Sequence, residues 1–137
     1  MNTRSFIAGY VASAIAFLVL DALWLTTMAD RLYRPALGRL MLDRFALAPA
    51  ALFYAIYVAG VVIFAVAPGV ASGRWTTSLL TGALFGLVAY ATYDLTNQAT
   101  LRDWPWRVTI ADMAWGTLAT GLAAACGCKA ATWIGTS

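Results

Sequence analysis

Four apolar stretches, each about 20 residues or longer, constrain this chain more than any motif in it, because that length carries a helix across the roughly 30 Å hydrocarbon core of a bilayer. They fall at about residues 5–29, 45–67, 75–97 and 108–133 and leave only short connections between them. In hydrocarbon every backbone N–H and C=O has to be bonded within the protein, and a single apolar segment does this as a helix. The expectation is therefore all-α: a polytopic membrane protein, a bundle of four transmembrane helices forming one domain over residues 1–137. The composition agrees. Charged residues make up 11% and hydrophobic ones 62%, where a soluble domain carries about 25% charged residues. Arg4 before an apolar run has the look of a secretory signal, but the run is longer than the usual signal core and lacks a convincing cleavage site. It reads as a retained first span.

Three acids interrupt the apolar segments. Asp21 lies in the first, about eight residues or roughly 12 Å from its end on a rise of 1.5 Å per residue. On that helix Tyr10, Ala14, Phe17, Asp21, Trp24 and Met28 recur on one face. In the third segment Gly82, Gly86, Tyr90, Tyr93, Asp94 and Asn97 share an arc of about 120° on a helix turning about 100° per residue. Gly82-x-x-x-Gly86 is a small-residue pair of the kind that lets another helix come close. In the fourth, Asp112 shares a face with Gly116, Ala119, Thr120, Ala123 and Gly127. The first and last spans also repeat one local pattern, Asp21-x-x-Trp24 and Asp112-x-x-Trp115.

A carboxylate at the centre of a membrane helix costs about 2.5–3.5 kcal/mol on insertion scales, so such groups are seldom left unpaired. The default expectation is a polar pocket between helices, lined by Asp21, Trp24, Tyr90, Tyr93, Asp94, Asn97, Asp112 and Trp115, with Arg102 or Arg107 closing it. Carboxylates brought together repel, and one of them then holds a proton, which suits proton coupling or capture of a cation. Purely structural readings stand beside this one. Thr109-x-x-Asp112 has capping-box spacing, Asp94 and Asn97 can mark a helix end, and Asp21 can pair with a loop arginine such as Arg102.

The connections carry their own signals. Residues 30–46 contain Pro35, well placed to start a short helix with Leu37, Leu40, Met41 and Phe45 near one side and Arg39 and Asp43 on the other, which reads as a short interfacial helix. The second span has no charge; Tyr54, Tyr57 and Gly60 stand out, it reads as scaffold, and Pro68-Gly69 is expected to end it. The connection GVASGRWTTS is short, so spans two and three are antiparallel neighbours. Residues 98–107 pair Trp104 and Trp106 with Arg102 and Arg107, the composition of an interfacial belt. Arg31, Arg34, Arg39, Arg44, Arg102 and Arg107 flank the first and third loops, against Arg4, Arg74 and Lys129 on the other side, which places those loops in the cytoplasm and both termini outside.

The net charge of +3 comes from basic residues beside the spans, a placement for lipid headgroups and topology, not nucleic acid. Histidine and glutamate are absent, which removes bis-imidazole haem, a histidine zinc site and a histidine base. The lone lysine, Lys129, is near the end of the last span, so no retinal-type Schiff base is expected either. Cys126 and Cys128 point in different directions on a helix and read as two small helix residues. Tyr93-Asp94 matches the YD pair of intramembrane aspartyl proteases, but the Gly-x-Gly-Asp partner is missing: Asp112 follows Thr-Ile-Ala.

LDALWL, YRPALGRL, and GLVAYATYDLTNQATLRDWP running to ADMAWGT together resemble a family of small bacterial integral membrane proteins known as a predicted membrane domain of unknown function. The resemblance spans essentially the whole chain and implies a four-helix inner-membrane protein; it supplies no activity. Three functions stay open: a small transporter or ligand-binding protein with the aspartates as proton or cation partners, an enzyme on a lipid or isoprenoid headgroup with an Asp-bound divalent metal, and an accessory subunit of a membrane complex. Membrane lipids and a homo-oligomer are the partners expected.

Overall fold

The chain enters its first helix at Asn2, whose side-chain oxygen accepts the Ser5 N–H at 2.8 Å and so satisfies a first-turn donor. The computed structural model describes residues 1–136 and is helical, with no strand among the described residues. Four helices are long and apolar enough to cross a membrane: Thr3–Leu40, Leu47–Ser72, Trp75–Thr100 and Trp106–Gly135.

The first two are each assembled from pieces by the same device. The first consists of α1 (Thr3–Met28), a π-helical turn at Ala29–Tyr33, the short helix α2 (Arg34–Leu37) and a 3-10 turn at Gly38–Leu40. The second consists of α3 (Leu47–Val61), a π-helical turn at Val62–Val66 and α4 (Ala67–Ser72). Each π-turn is followed by a proline, Pro35 or Pro68, in the first turn of the next piece. A proline inside an α-helix lacks its N–H and presses its ring on the carbonyl four residues back. Widening the preceding turn, with Arg34 N–H bonded to Ala29 O and Ala67 N–H to Val62 O, lets the chain pass the proline and stay helical.

Pro68-Gly69 therefore does not end the second span. The helix continues to Ser72 and stops at Gly73, whose φ of +69° is the left-handed geometry glycine adopts without strain. Pro35 does open the short helix expected in the first connection. It is continuous with α1, and Leu40, Leu42 and Phe45 are exposed beyond it. The ion pair there joins Arg34 to Asp30 at 3.0 Å, one turn apart.

The third and fourth spans are single helices, α5 (Trp75–Thr100) and α6 (Trp106–Gly135). Helix α6 is the centre of the bundle, packed against α1 on one side and α5 on the other. Large apolar residues such as Ile7, Val11, Ile15, Leu84 and Val88 face outward, and the seams are built of small ones. On α1 the buried stripe is Ser5, Gly9, Ser13 and Phe17; on α5 it is Ser78, Gly82, Gly86 and Asp94. Without a hydrophobic drive between helices in lipid, close backbone approach and interhelical hydrogen bonds do the holding. Gly86 shows how close: a Cβ there would stand 2.2 Å from the Gly116 carbonyl oxygen. The Gly82-x-x-x-Gly86 pair thus serves a contact within the chain. Ser13 Oγ donates to Ala123 O at 3.2 Å, Ser78 Oγ to Ala65 O at 2.8 Å, and the Tyr57 and Thr120 hydroxyls meet at 2.6 Å.

Candidate functional site

Past Gly86 the α5 stripe changes character. Tyr90, one turn on, lays its ring over Gly116, where a Cβ would fall 2.2 Å from Tyr90 Cδ1. One further turn along each antiparallel helix brings Asp94 of α5 opposite Asp112 of α6. Asp94 is completely buried, and among the described residues no N–H or hydroxyl reaches either of its carboxyl oxygens. The polar group it meets is the Asp112 carboxyl. Two ionised carboxylates offer each other only acceptors, so this contact is a hydrogen bond only when one of the pair carries a proton.

Asp112 is 8% exposed and has a second partner: the Tyr33 hydroxyl, from the π-turn after α1, donates to its Oδ1. Tyr33 in turn accepts from Trp24 Nε1 at 2.7 Å. Trp24 lies flat on Trp115, with centroids 4.7 Å apart and an interplanar angle of 7°. The two Asp-x-x-Trp patterns thus meet through their indoles, and a relay of Trp24, Tyr33, Asp112 and Asp94 ties α1, the first π-turn, α6 and α5 together. Trp115 Nε1 is buried and finds no hydrogen-bond acceptor among the described residues.

Asp21 belongs to a neighbouring arrangement. It is half-buried and its Oδ2 accepts from the Tyr54 hydroxyl of α3. The three acids therefore divide two and one. Among the described residues no three carboxylate or thiol side chains stand close enough to hold a metal ion together.

A cavity of about 320 Å³ opens beside the pair, lined by Phe53 of α3, Ala89, Tyr90 and Tyr93 of α5, and Asp112 of α6. Phe53 and Tyr93 are 47% and 57% exposed, so its mouth is on the outer surface between spans two and three. Arg102 and Arg107 do not close it; both are exposed, and Asp21 is bonded to Tyr54, not to Arg102. Asn97 is half-buried at the end of α5, its carbonyl accepting from Leu101 N–H at 2.9 Å.

The third connection is folded inward. Trp104 is buried and donates from Nε1 to Thr109 Oγ1 at 3.0 Å; Thr109 Oγ1 donates to Gln98 Oε1 at 2.8 Å; Gln98 Nε2 donates to Trp104 O at 2.7 Å. This closed ring clamps the end of α5 to the start of α6. It also rules out Thr109 as a cap, since α6 begins at Trp106 and Asp112 is already in its second turn. Trp104 leaves the expected belt to pack edge-on against Tyr93, with centroids 5.8 Å apart, while Trp106 stays exposed.

Of the residues singled out in the sequence, Asp94, Asp112, Trp24 and Trp115 meet in one constellation, with Tyr90 and Tyr93 beside it. The structure adds Tyr33 and Phe53 to these, and makes Tyr54 the partner of Asp21. Tyr54 carried a signal, as a hydroxyl in a span otherwise free of charge, but Tyr33 sat in a connection whose apolar side drew the eye.

No curated protein and no solved structure matches the chain. Residues 6–129 match the family described as predicted membrane protein DUF2177, and the chain belongs to that membrane protein family, whose function is unknown.

Proposed function

We propose that the protein binds a small cation at the Asp94–Asp112 pair and releases a proton as it does so, as a carrier or binding protein in the membrane. The observation that carries this reading is Asp94: a fully buried carboxyl whose oxygens no donor among the described residues satisfies. Burying such a group is costly, and ionisable residues inside membrane proteins mark proton and ion pathways. A carboxyl pair sharing one proton has a net charge of −1. Exchanging that proton for a monovalent cation leaves the site's total charge unchanged, which avoids adding charge to a low-dielectric region. Tyr33, bonded to Trp24 behind it, keeps Asp112 oriented through the exchange. Asp21 stays on Tyr54 outside it.

The arginines extend the proposal to orientation. Arg31, Arg34, Arg39, Arg44, Arg102 and Arg107 flank the same end as the pair, so the site faces the cytoplasm and both termini face away from it. A metal-dependent enzyme on lipid headgroups draws less support, because Asp21 is held by Tyr54 and two carboxyls converge, not three.

Calorimetric titration of the purified protein with monovalent cations, in buffers of different ionisation enthalpy, tests the reading. About one proton should leave per cation bound, and Asp94→Asn should abolish that release. Cation binding without proton release, or release that survives in Asp94→Asn, sinks it.

A further inference from the structure

The cavity beside the pair bears on which cation is bound. We propose that the ligand is a single-chain amphipathic ammonium ion, a protonated or quaternary alkylamine, that reaches Asp112 sideways from the bilayer between spans two and three. This rests on the reading of the carboxyl pair as a cation site and narrows its ligand class.

Three observations converge on that chemistry. Among the described residues that line the cavity, Phe53, Tyr90 and Tyr93 are aromatic and Asp112 is acidic. Aromatic faces around a carboxylate recognise ammonium groups, whose charge is spread over C–H and N–H bonds and is attracted to ring faces within about 6 Å. A small metal ion instead asks for a shell of oxygen ligands, about six for Mg²⁺ or Ca²⁺, and the wall of Phe53, Ala89 and the tyrosine rings does not offer one.

The second observation is where the cavity opens. Phe53 and Tyr93 are large, apolar-faced and substantially exposed on helices that face lipid. A ligand using this mouth has an apolar part left among the acyl chains while its charged end reaches Asp112. The third is charge complementarity: among the described residues none that lines the cavity is basic. A phosphate or carboxylate on the ligand would find no counter-charge there, which argues against a phospholipid headgroup. The volume of about 320 Å³ holds roughly ten water-sized groups, at about 30 Å³ each, enough for an ammonium head and its first methylenes.

The experiment is calorimetric titration in maltoside micelles, which contain no ammonium group, with octyltrimethylammonium, tetramethylammonium, octyl sulfate and octanol, each corrected against empty micelles. Octyltrimethylammonium should bind at least tenfold more tightly than tetramethylammonium, and octyl sulfate and octanol should not compete with it. Asp112→Asn should weaken it at least tenfold. Tyr93→Leu, at an exposed position where the fold survives, should weaken the alkyl cation several-fold and tetramethylammonium less. Equal affinity for the two cations, with dependence on Asp112 retained, overturns the amphipathic ligand and leaves the cation site standing. Competition by octyl sulfate or octanol also overturns it, as does displacement by an equal concentration of phosphatidylethanolamine, which would make a lipid headgroup the occupant. Absence of binding by either ammonium ion overturns this inference, and the reading beneath it falls as well only if alkali cations also bind without releasing a proton.

Discussion

Along α5 one stride of four residues runs Ser78, Gly82, Gly86, Tyr90, Asp94, and its two halves meet α6 in different ways. In the first half the side chains are small and the backbones close on each other, Gly86 against the Gly116 carbonyl and Gly82 against Ala124. In the second half an aromatic ring and a carboxyl occupy the same seam, contact passes through side-chain atoms, and a cavity forms beside Tyr90. The small half fixes the helix pair by van der Waals contact, which tolerates no added volume. The large half holds polar groups that need partners, and the group that Asp94 meets is the Asp112 carboxyl. A rigid seam that continues into a polar, partly hollow one holds two carboxyls together, since repulsion between them is resisted by packing further along.

Substitutions can break or sharpen this contrast. The largest effect is expected at Gly86→Val, where even a Cβ would be 2.2 Å from a backbone oxygen; overpacking of this kind costs about 3 kcal/mol or more. Ala89→Leu, three residues on and facing the cavity, should leave stability within about 1 kcal/mol while blocking ligand binding. Thermal unfolding of both purified variants, read by loss of the monodisperse peak, checks the pair. Similar losses for the two would erase the distinction between halves.

Next in size are the tyrosines. Tyr33→Phe removes the donor to Asp112 and the acceptor for Trp24, and should cost about 1–2 kcal/mol, whereas Tyr54→Phe removes only the donor to Asp21 and should cost about 1 kcal/mol or less. Equilibrium unfolding in mixed micelles ranks them; the reverse order would mean that Asp21, not the pair, is the structural keystone. Asp94→Asn comes third. Its amide can donate to Asp112 without a shared proton, so stability should stay within about 1 kcal/mol of the parent while proton release on cation binding disappears. Smallest is Arg102→Ala, at an exposed residue away from the cavity, with less than about 0.5 kcal/mol expected in unfolding and no change in cation affinity.

Much of the site could be read from residue spacing. The faces holding Gly82, Gly86 and Asp94, and Asp112 with Gly116, Ala119, Thr120, Ala123 and Gly127, are buried as the period of the helix implies. The stripe Ser5, Gly9, Ser13 and Phe17 on α1 is equally legible as residues four apart, but the more conspicuous Tyr10 and Asp21 lie beside it and obscure it. Pro68-Gly69 does not stop the span because proline's effect on a helix depends on the turn before it, and the π-turn at Val62–Val66 widens enough to carry the helix past the ring. The capping-box alternative at Thr109 falls for a similar reason: it is a local motif, and the Gln98 and Trp104 partners that claim the hydroxyl come from outside it.

Span number, the helical state and the small-residue seams are properties of the chain itself, because apolar length and periodicity act locally and lipid leaves the backbone no alternative to internal hydrogen bonds. Which acids meet is not. Asp94 joins Asp112 because α5 and α6 pack antiparallel in the register that Gly86 and Gly116 permit, while Asp21 goes to Tyr54 because α3 packs on α1. The partners of a buried carboxyl are chosen by the packing of other helices, over separations no local pattern spans, and only the assembled bundle decides them.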